Sequence, residues 1–378
     1  MRVLVNTDTL EPLGGVERST LQVSAALAGR GHSCHLLYAR GGGGLEQAWC
    51  SVASTMTRVP GFTVAAARPW RTAHHLPASV RAARAARPDV IWANRAEQMI
   101  WAVGAARASG AALVVHLRHH PFPPPLVRLL SGRAARYLAV SAFLRDEWVA
   151  AGLDPRRVDV VPNGIDPDLY RPATSADRAA ARRALGVVDD RPLVLSYGRL
   201  SAEKGACTLL QAWAGAGWAA GEAHLVLAGD ATPDVLDLVR DVGDPSVSLL
   251  PRRDDVLPLL HAADLVVLPA VWQEPFGRVV IEAMAAGVPV VASRVGGIPE
   301  VLTGRFAAQL VPPGDVAALA SVLRRHARWR VADPELGGAG RAHVERAFDL
   351  RSTVDGVEVA LTSAVAAAPG RRSSWAAA

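Results

Sequence analysis

Of the 41 basic residues in the chain, 40 are arginine and one is lysine, Lys204. An Ala-, Arg- and Gly-rich composition of this kind drifts exposed lysine toward arginine. A lysine that persists therefore marks a position where arginine does not substitute. Lysine is a compact point charge on a flexible stem, suited to a tight phosphate site. Lys204 stands in the segment Tyr197-Gly198-Arg199-Leu200-Ser201-Ala202-Glu203-Lys204-Gly205. The forked guanidinium of Arg199 and the point charge of Lys204 together suit a diphosphate leaving group. The plainer alternative is two solvated surface charges.

A second segment runs Trp272-Gln273-Glu274-Pro275-Phe276-Gly277-Arg278 and continues as a helix pattern through Glu282. Pro275 suits a first helical turn, with Glu274 just before it. Glu282 follows about two turns later at a similar azimuth. Two acceptors so placed can grip vicinal hydroxyls of a sugar and of a ribose. The alternative is an acid favouring the helix dipole plus a surface glutamate. The pair Gly14-Gly15 opens a strand-to-helix loop where backbone can approach an anion at a helix N-terminus. It reads equally as a tight turn. Gly296-Gly297 repeats that design.

His116, His119 and His120 cluster after a strand end. No acid or cysteine lies at ligand spacing, and strand alternation points neighbours apart, so metal binding is not expected. A cleft-lining histidine stays open beside a structural one. His74-His75 reads as solvated loop, and Asp166-Pro167-Asp168 as turn chemistry rather than an acidic metal motif.

Short apolar runs alternating with Ala-rich helical stretches must hold these residues. Strands are predicted at 2–6, 35–38, 89–93, 113–117, 138–140 and 158–161, with helices at 16–29 and 80–86. Residues 162–174, rich in Pro, Asp, Asn and Gly, read as a linker. The pattern then restarts with strands at 192–197, 224–228, 247–250, 265–268 and 288–292. Helices are predicted at 176–185, 208–214, 234–242, 256–262 and 278–285. The alternation predicts an α/β chain of two Rossmann-like, doubly wound parallel-sheet domains, with ligands in the cleft they face. The expected division is 1–165, 166–350, a C-terminal helix over 351–370 packing back on the first domain, and a flexible tail over 371–378.

Composition bounds the partners. The chain has 378 residues, half of them apolar, which suits two packed domains. Its three cysteines form no CxxC pair, so a disulfide framework or zinc ribbon is unsupported. The N-terminus reads as a buried strand without a signal-peptide layout, and no apolar run reaches the roughly 18 residues of a spanning helix. A cytoplasmic location is expected. Residues 1–165 hold 19 arginines and 10 acids, a net +9, against −3 for the remainder. Nothing resembles a nucleic-acid module.

Taken in order, Gly14-Gly15, the linker VVPNGIDPDLY, GRLSAEKG, EPFGRVVIEAMAAGVPVVAS and VGGIPE resemble the family-4 (GT4) retaining glycosyltransferases of GT-B fold. The resemblance covers nearly the whole chain. It implies that Gly198, Arg199 and Lys204 hold the diphosphate of a nucleotide sugar. Glu274 would bind the donor sugar and Glu282 the ribose. Amides near Phe276 and Gly277 would lie over sugar and phosphate, and Gly14 and Gly15 would close from the other domain. His119 is taken as the family's catalytic histidine, although the position falls on Arg118 or His119. Ala270 replaces a common serine, and Gly229-Asp230 lacks a common second glycine. The implied reaction is a hexosyl or pentosyl transfer with retention, the leaving phosphate taking the acceptor proton. No metal or other cofactor is implied.

UDP is the expected donor base, with GDP next. The acceptor is expected to be a glycan, a glycolipid or a small antibiotic-type molecule. The basic N-terminal part favours a phosphorylated acceptor or weak peripheral contact with the inner membrane face, through 69–87. Asp8, Glu11, Glu17 and Glu97 would instead suit a polycationic acceptor. Two rival readings are a silent nucleotide-sugar-binding scaffold and an epimerase of the same fold.

Overall fold

A computed structural model describes residues 1–12, 14–63, 73–187 and 189–367. The chain divides into two compact units. One is Met1–Asn163 with the segment from Leu350 onward, and the other is Gly164–Asp349.

The first unit carries β1 (Arg2–Thr9), β2 (Ser33–Arg40), β3 (Thr55–Arg58), β4 (Val90–Ala93), β5 (Ala112–Leu117), β6 (Arg136–Ala139) and β7 (Val158–Val160). They form one parallel sheet in the order β3-β2-β1-β4-β5-β6-β7. The order reverses between β1 and β4. Val3 and Val5 of β1 pack with Val23 and Leu27 of the helix Gly15–Gly29. The helix Leu350–Ala366 adds Val354, Val357, Ala360 and Leu361 to the same core, so the end of the chain completes the first unit.

Several elements here escape the sequence pattern. β3 is a short, mostly exposed edge strand. The helix Met99–Ser109 buries Met99, Trp101, Ala102, Ala105 and Ala106 and shows little sidedness, so its 3.6-residue period is blurred. Of the basic stretch 69–87, residues 69–72 lie outside the described ones. The helix Leu76–Ala85 packs on Met99–Ser109, with Val80 set against Gly104. That leaves it a poor apolar face for a membrane surface. Among the described residues no helix is long and apolar enough to cross a membrane. The expected tail, 371–378, also lies outside the described residues.

The second unit carries β8 (Leu193–Tyr197), β9 (His224–Ala228), β10 (Val247–Leu250), β11 (Leu265–Leu268), β12 (Val290–Ser293) and β13 (Leu310–Val311). Its parallel sheet runs β10-β9-β8-β11-β12-β13 and reverses between β8 and β11. The two-residue β13 is too short to leave a sequence signal. Val194, Leu209, Leu227, Val267 and Leu323 share one core.

Loops after β8 and β11 are locked together at the reversal. Gly205, with φ +80°, starts the helix Ala206–Gly215. A Cβ on it would lie 1.8 Å from the Pro269 carbonyl oxygen. The Val271 and Trp272 amides donate to the Glu203 carbonyl at 2.9 and 3.2 Å. Only glycine permits both this φ and this approach. Gly205→Ala is expected to cost about 2 kcal/mol or more and lower the thermal midpoint by several degrees. Thermal unfolding of the variant checks this, and an unchanged midpoint would contradict the packing described.

Candidate functional site

The site of the second unit is built on the reversal between β8 and β11, where ligands of open α/β sheets bind. β8 ends at Tyr197 and releases Gly198 and Arg199. The locked loops bring Lys204 Nζ to 2.6 Å from Glu274 Oε2. Trp272 Nε1 donates to the same oxygen at 2.9 Å, and Lys204 Nζ lies 4.4 Å from the Trp272 ring centroid. The loop after β12 fixes Glu274 from the other side. The Gly297 amide donates to the Glu274 carbonyl at 2.8 Å, and the Gly296 amide to Gln273 Oε1 at 2.8 Å. A Cβ on Gly296 would lie 2.0 Å from that Glu274 carbonyl oxygen. Lys204 and Glu274 keep 23% and 16% of their side-chain surface, so the pair is half-sunk but reachable.

The other expected residues are not in that contact. Arg199 is 67% exposed and only 3.8 Å from Glu203, so its guanidinium is free to swing. Glu282, 9% exposed, lies deeper. Its Oε2 accepts from the Tyr197 hydroxyl at 2.9 Å and its Oε1 from Arg278 Nε at 2.7 Å. Burial, reinforced by the Glu282 charge, pushes the Tyr197 phenol well above its ordinary value and keeps it a proton donor. Both Glu282 oxygens therefore already carry a donor. Tyr197 and Arg278 were not singled out from sequence. Both face Glu282 across the fold or along one helix turn, and only Arg278, four residues before it, left a spacing cue. Phe276 is buried, its ring 5.8 Å from Phe348, so only its backbone is available to a ligand. Gly277 caps the helix Arg278–Ala285. Asp166 Oδ1 accepts from the Asp168 amide, a turn contact.

The first unit gathers a separate polar cluster at the ends of β1, β4 and β5. Gly14 and Gly15 open the helix Gly15–Gly29, with Gly14 extended. Buried Glu17 stands in that first turn and accepts from Arg95 Nη2 at 2.7 Å. The helix N-terminus thus already faces a carboxylate. Asn6 Nδ2 donates to Gln98 Oε1 at 2.6 Å, and Gln98 Nε2 to Asp8 Oδ2 at 2.9 Å. Burial raises the Asp8 carboxyl above its ordinary value, against the pull of Arg95.

The three histidines differ sharply. His116 lies inside β5, buried, with Nδ1 3.3 Å from Arg118 Nη2. Arg118 is buried too and donates to Asn163 Oδ1 at 2.8 Å. His120 Nδ1 is 2.6 Å from Glu147 Oε2. His119 holds its loop through its carbonyl, which accepts from Trp148 Nε1 at 2.9 Å, while its buried Nε2 has no hydrogen-bond partner among the described residues. Burial lowers the His119 imidazole, with Glu97 opposing and Arg95 and Arg118 adding to the effect. It is neutral near pH 7. Among the described residues no group of three or more His, Cys, Asp or Glu is placed to hold a metal ion.

Residues 13–169 match the family described as Glycosyltransferase Family 4, and residues 191–328 match Glycosyl transferases group 1. The chain belongs to the family-4 glycosyltransferases. This glycosyltransferase is similar to the D-inositol 3-phosphate glycosyltransferase of Segniliparus rotundus, 34% identical over 277 residues, covering 68% of this chain and 59% of that one. It is also similar to the alpha-maltose-1-phosphate synthase of Mycolicibacterium smegmatis, 37% identical over 224 residues, covering 54% and 57%. The matched part thus spans under two thirds of either relative. Among solved structures it resembles Anabaena HepE in complex with UDP and glucose, with a TM-score of 0.82 at 23% identity, covering 96% of this chain and 100% of that one. Sucrose-phosphate synthase from Thermosynechococcus elongatus gives 0.78 at 21%, covering 97% and 99%. These likenesses show the fold, the GT-B pair of parallel-sheet α/β units.

The histidines of this glycosyltransferase give it a pH signature. His35, His116, His119, His224 and His326 are all lowered, burial being the first cause in each. A histidine lowered by folding is protonated more readily in the unfolded chain. Stability is therefore full above the unfolded value of about 6.5 and falls as pH drops below it. The thermal midpoint is expected to drop steadily from about pH 7 to about pH 5. A flat or rising profile over that window would contradict the burial of these rings.

Proposed function

We propose that the chain moves a sugar from a nucleoside diphosphate sugar, UDP-sugar first, to a hydroxyl of a glycan, glycolipid or small-molecule acceptor. The transfer is a hexosyl or pentosyl transfer that proceeds with retention, in the cytoplasm, and needs no resident metal. The observation that carries this reading is the Lys204–Glu274 contact at the β8/β11 reversal. It sets a cation for a diphosphate directly beside an acceptor for sugar hydroxyls.

The chemistry follows from where charge grows. As the anomeric bond breaks, charge builds on the leaving phosphate, and a preorganised cation favours that state over the bound donor. Lys204 is that cation, fixed before the donor arrives. Arg199, exposed and loosely held, adds a second once it swings onto the diphosphate. The amides at Phe276 and Gly277 supply further donors to phosphate and sugar oxygens. Glu274 is held on one oxygen by Lys204 and Trp272, which suits orientation of a sugar rather than attack on it. Retention then needs no enzyme nucleophile, the leaving phosphate taking the acceptor proton on the same face.

The relatives named above act on inositol phosphate or are named for maltose 1-phosphate formation, which supports a sugar-transfer reading without fixing the acceptor. Thermal-shift titration with UDP, GDP, ADP and their sugars, on wild type and Lys204→Ala, tests the donor assignment. One nucleotide is expected to raise the wild-type midpoint and leave the variant nearly unmoved, with transfer falling at least about a hundredfold. A nucleotide that shifts both proteins equally would remove Lys204 from the diphosphate site. Binding without transfer to any hydroxyl acceptor would favour a nucleotide-sugar-binding scaffold.

A further inference from the structure

Trp272 touches both side chains to which the donor is assigned. Its indole N–H donates to Glu274 Oε2 at 2.9 Å, the oxygen that also accepts from Lys204 Nζ at 2.6 Å. Its ring lies under the same ammonium, 4.4 Å from Nζ to the centroid. A carboxylate oxygen offers two lone pairs, and two donors fill Oε2. Oε1 is the oxygen left to accept from a ligand hydroxyl. The ammonium has three N–H bonds, one spent on Oε2 and one flank covered by the aromatic face. What remains is directed away from both.

We propose that Trp272 is a positioning residue that fixes which Glu274 oxygen and which side of the Lys204 ammonium meet the donor. It thereby sets the preference for a nucleotide sugar over the free nucleotide. The proposal rests on the donor reading above and gives that site its discrimination. Without the indole N–H, Oε2 regains a lone pair and the carboxylate is free to rotate. Lys204 would still hold one oxygen, but the oxygen offered to the sugar would no longer be defined. Loss of the ring removes the support under the ammonium as well and loosens the diphosphate contact.

The sequence supplies a clean probe. Lys204 is the chain's one lysine, so protein labelled with carbon-13 lysine gives a single set of side-chain signals. In wild type the Lys204 ε-methylene protons are expected upfield of a free lysine, shifted by the indole ring. Trp272→Leu should return them to the free position, and Trp272→Phe should keep part of the shift. Titration of each protein with UDP and with UDP-glucose then gives two dissociation constants. Trp272→Phe keeps a ring but lacks the N–H. It is expected to shrink the preference for UDP-glucose over UDP about three- to tenfold, the size of one ordinary hydrogen bond. UDP affinity itself should change less than about twofold. Trp272→Leu should weaken UDP as well, about threefold. If the leucine variant is unfolded, the phenylalanine variant carries the test alone.

An unchanged UDP-glucose preference in folded Trp272→Phe overturns the proposal. So does a wild-type Lys204 signal with no ring shift. A ring-shifted signal that neither UDP nor UDP-glucose moves overturns the donor reading, and the specificity role with it, while leaving the lysine–indole contact standing.

Discussion

The candidate site of the second unit is organised around one carboxylate oxygen. Glu274 Oε2 joins Lys204, from the loop after β8, to Trp272, from the loop after β11. An isolated ion pair at a surface contributes little, because water competes for both charges and long side chains lose freedom. This pair avoids part of that cost. Its two loops are already locked by backbone, through the approach of Gly205 to Pro269 and of Gly296 to Glu274. The side chains therefore start near each other, and the contact costs little further ordering. A site held this way stabilises the fold modestly but presets charge where a diphosphate would need it.

Beneath it lies a second carboxylate with a different fate. Glu282 sits on the helix Arg278–Ala285 and is enclosed by Tyr197 and Arg278. These two contacts tie the end of β8 to the helix. The two glutamates share a helix face in sequence, yet one is reachable and the other is built into the floor. Glu274 keeps 16% of its side-chain surface and Glu282 9%.

Much of this was legible in the sequence, for physical reasons that can be named. Central strands such as those of Val3, Val114, Val194 and Val267 announce themselves because parallel sheets are buried on both faces and read as apolar runs. Lys204 stood out because arginine fills every other basic position. Glu274 and Glu282 were visible through their spacing around Pro275. The helix Met99–Ser109 was not visible, since apolar and small residues run round it, exposed Ile100 among them, and blur its period. Tyr197 was read only as a strand end, because its partner is 85 residues away in sequence. A similar separation, 78 residues, hides the Arg95–Glu17 pair, which puts a carboxylate at the very helix terminus that the Gly14-Gly15 motif opens. Local pattern reports what a residue does to its own strand or helix. It is silent on partners that only the sheet order brings close.

The central claim is that Lys204 receives the diphosphate while Glu274 receives the sugar. A crystal structure of the chain with UDP-glucose tests it most directly. The account predicts Lys204 Nζ within about 3 Å of a diphosphate oxygen and Glu274 Oε1 within about 3 Å of a glucose hydroxyl. Nucleotide bound away from the β8/β11 reversal, or a diphosphate that Lys204 does not touch, would contradict it.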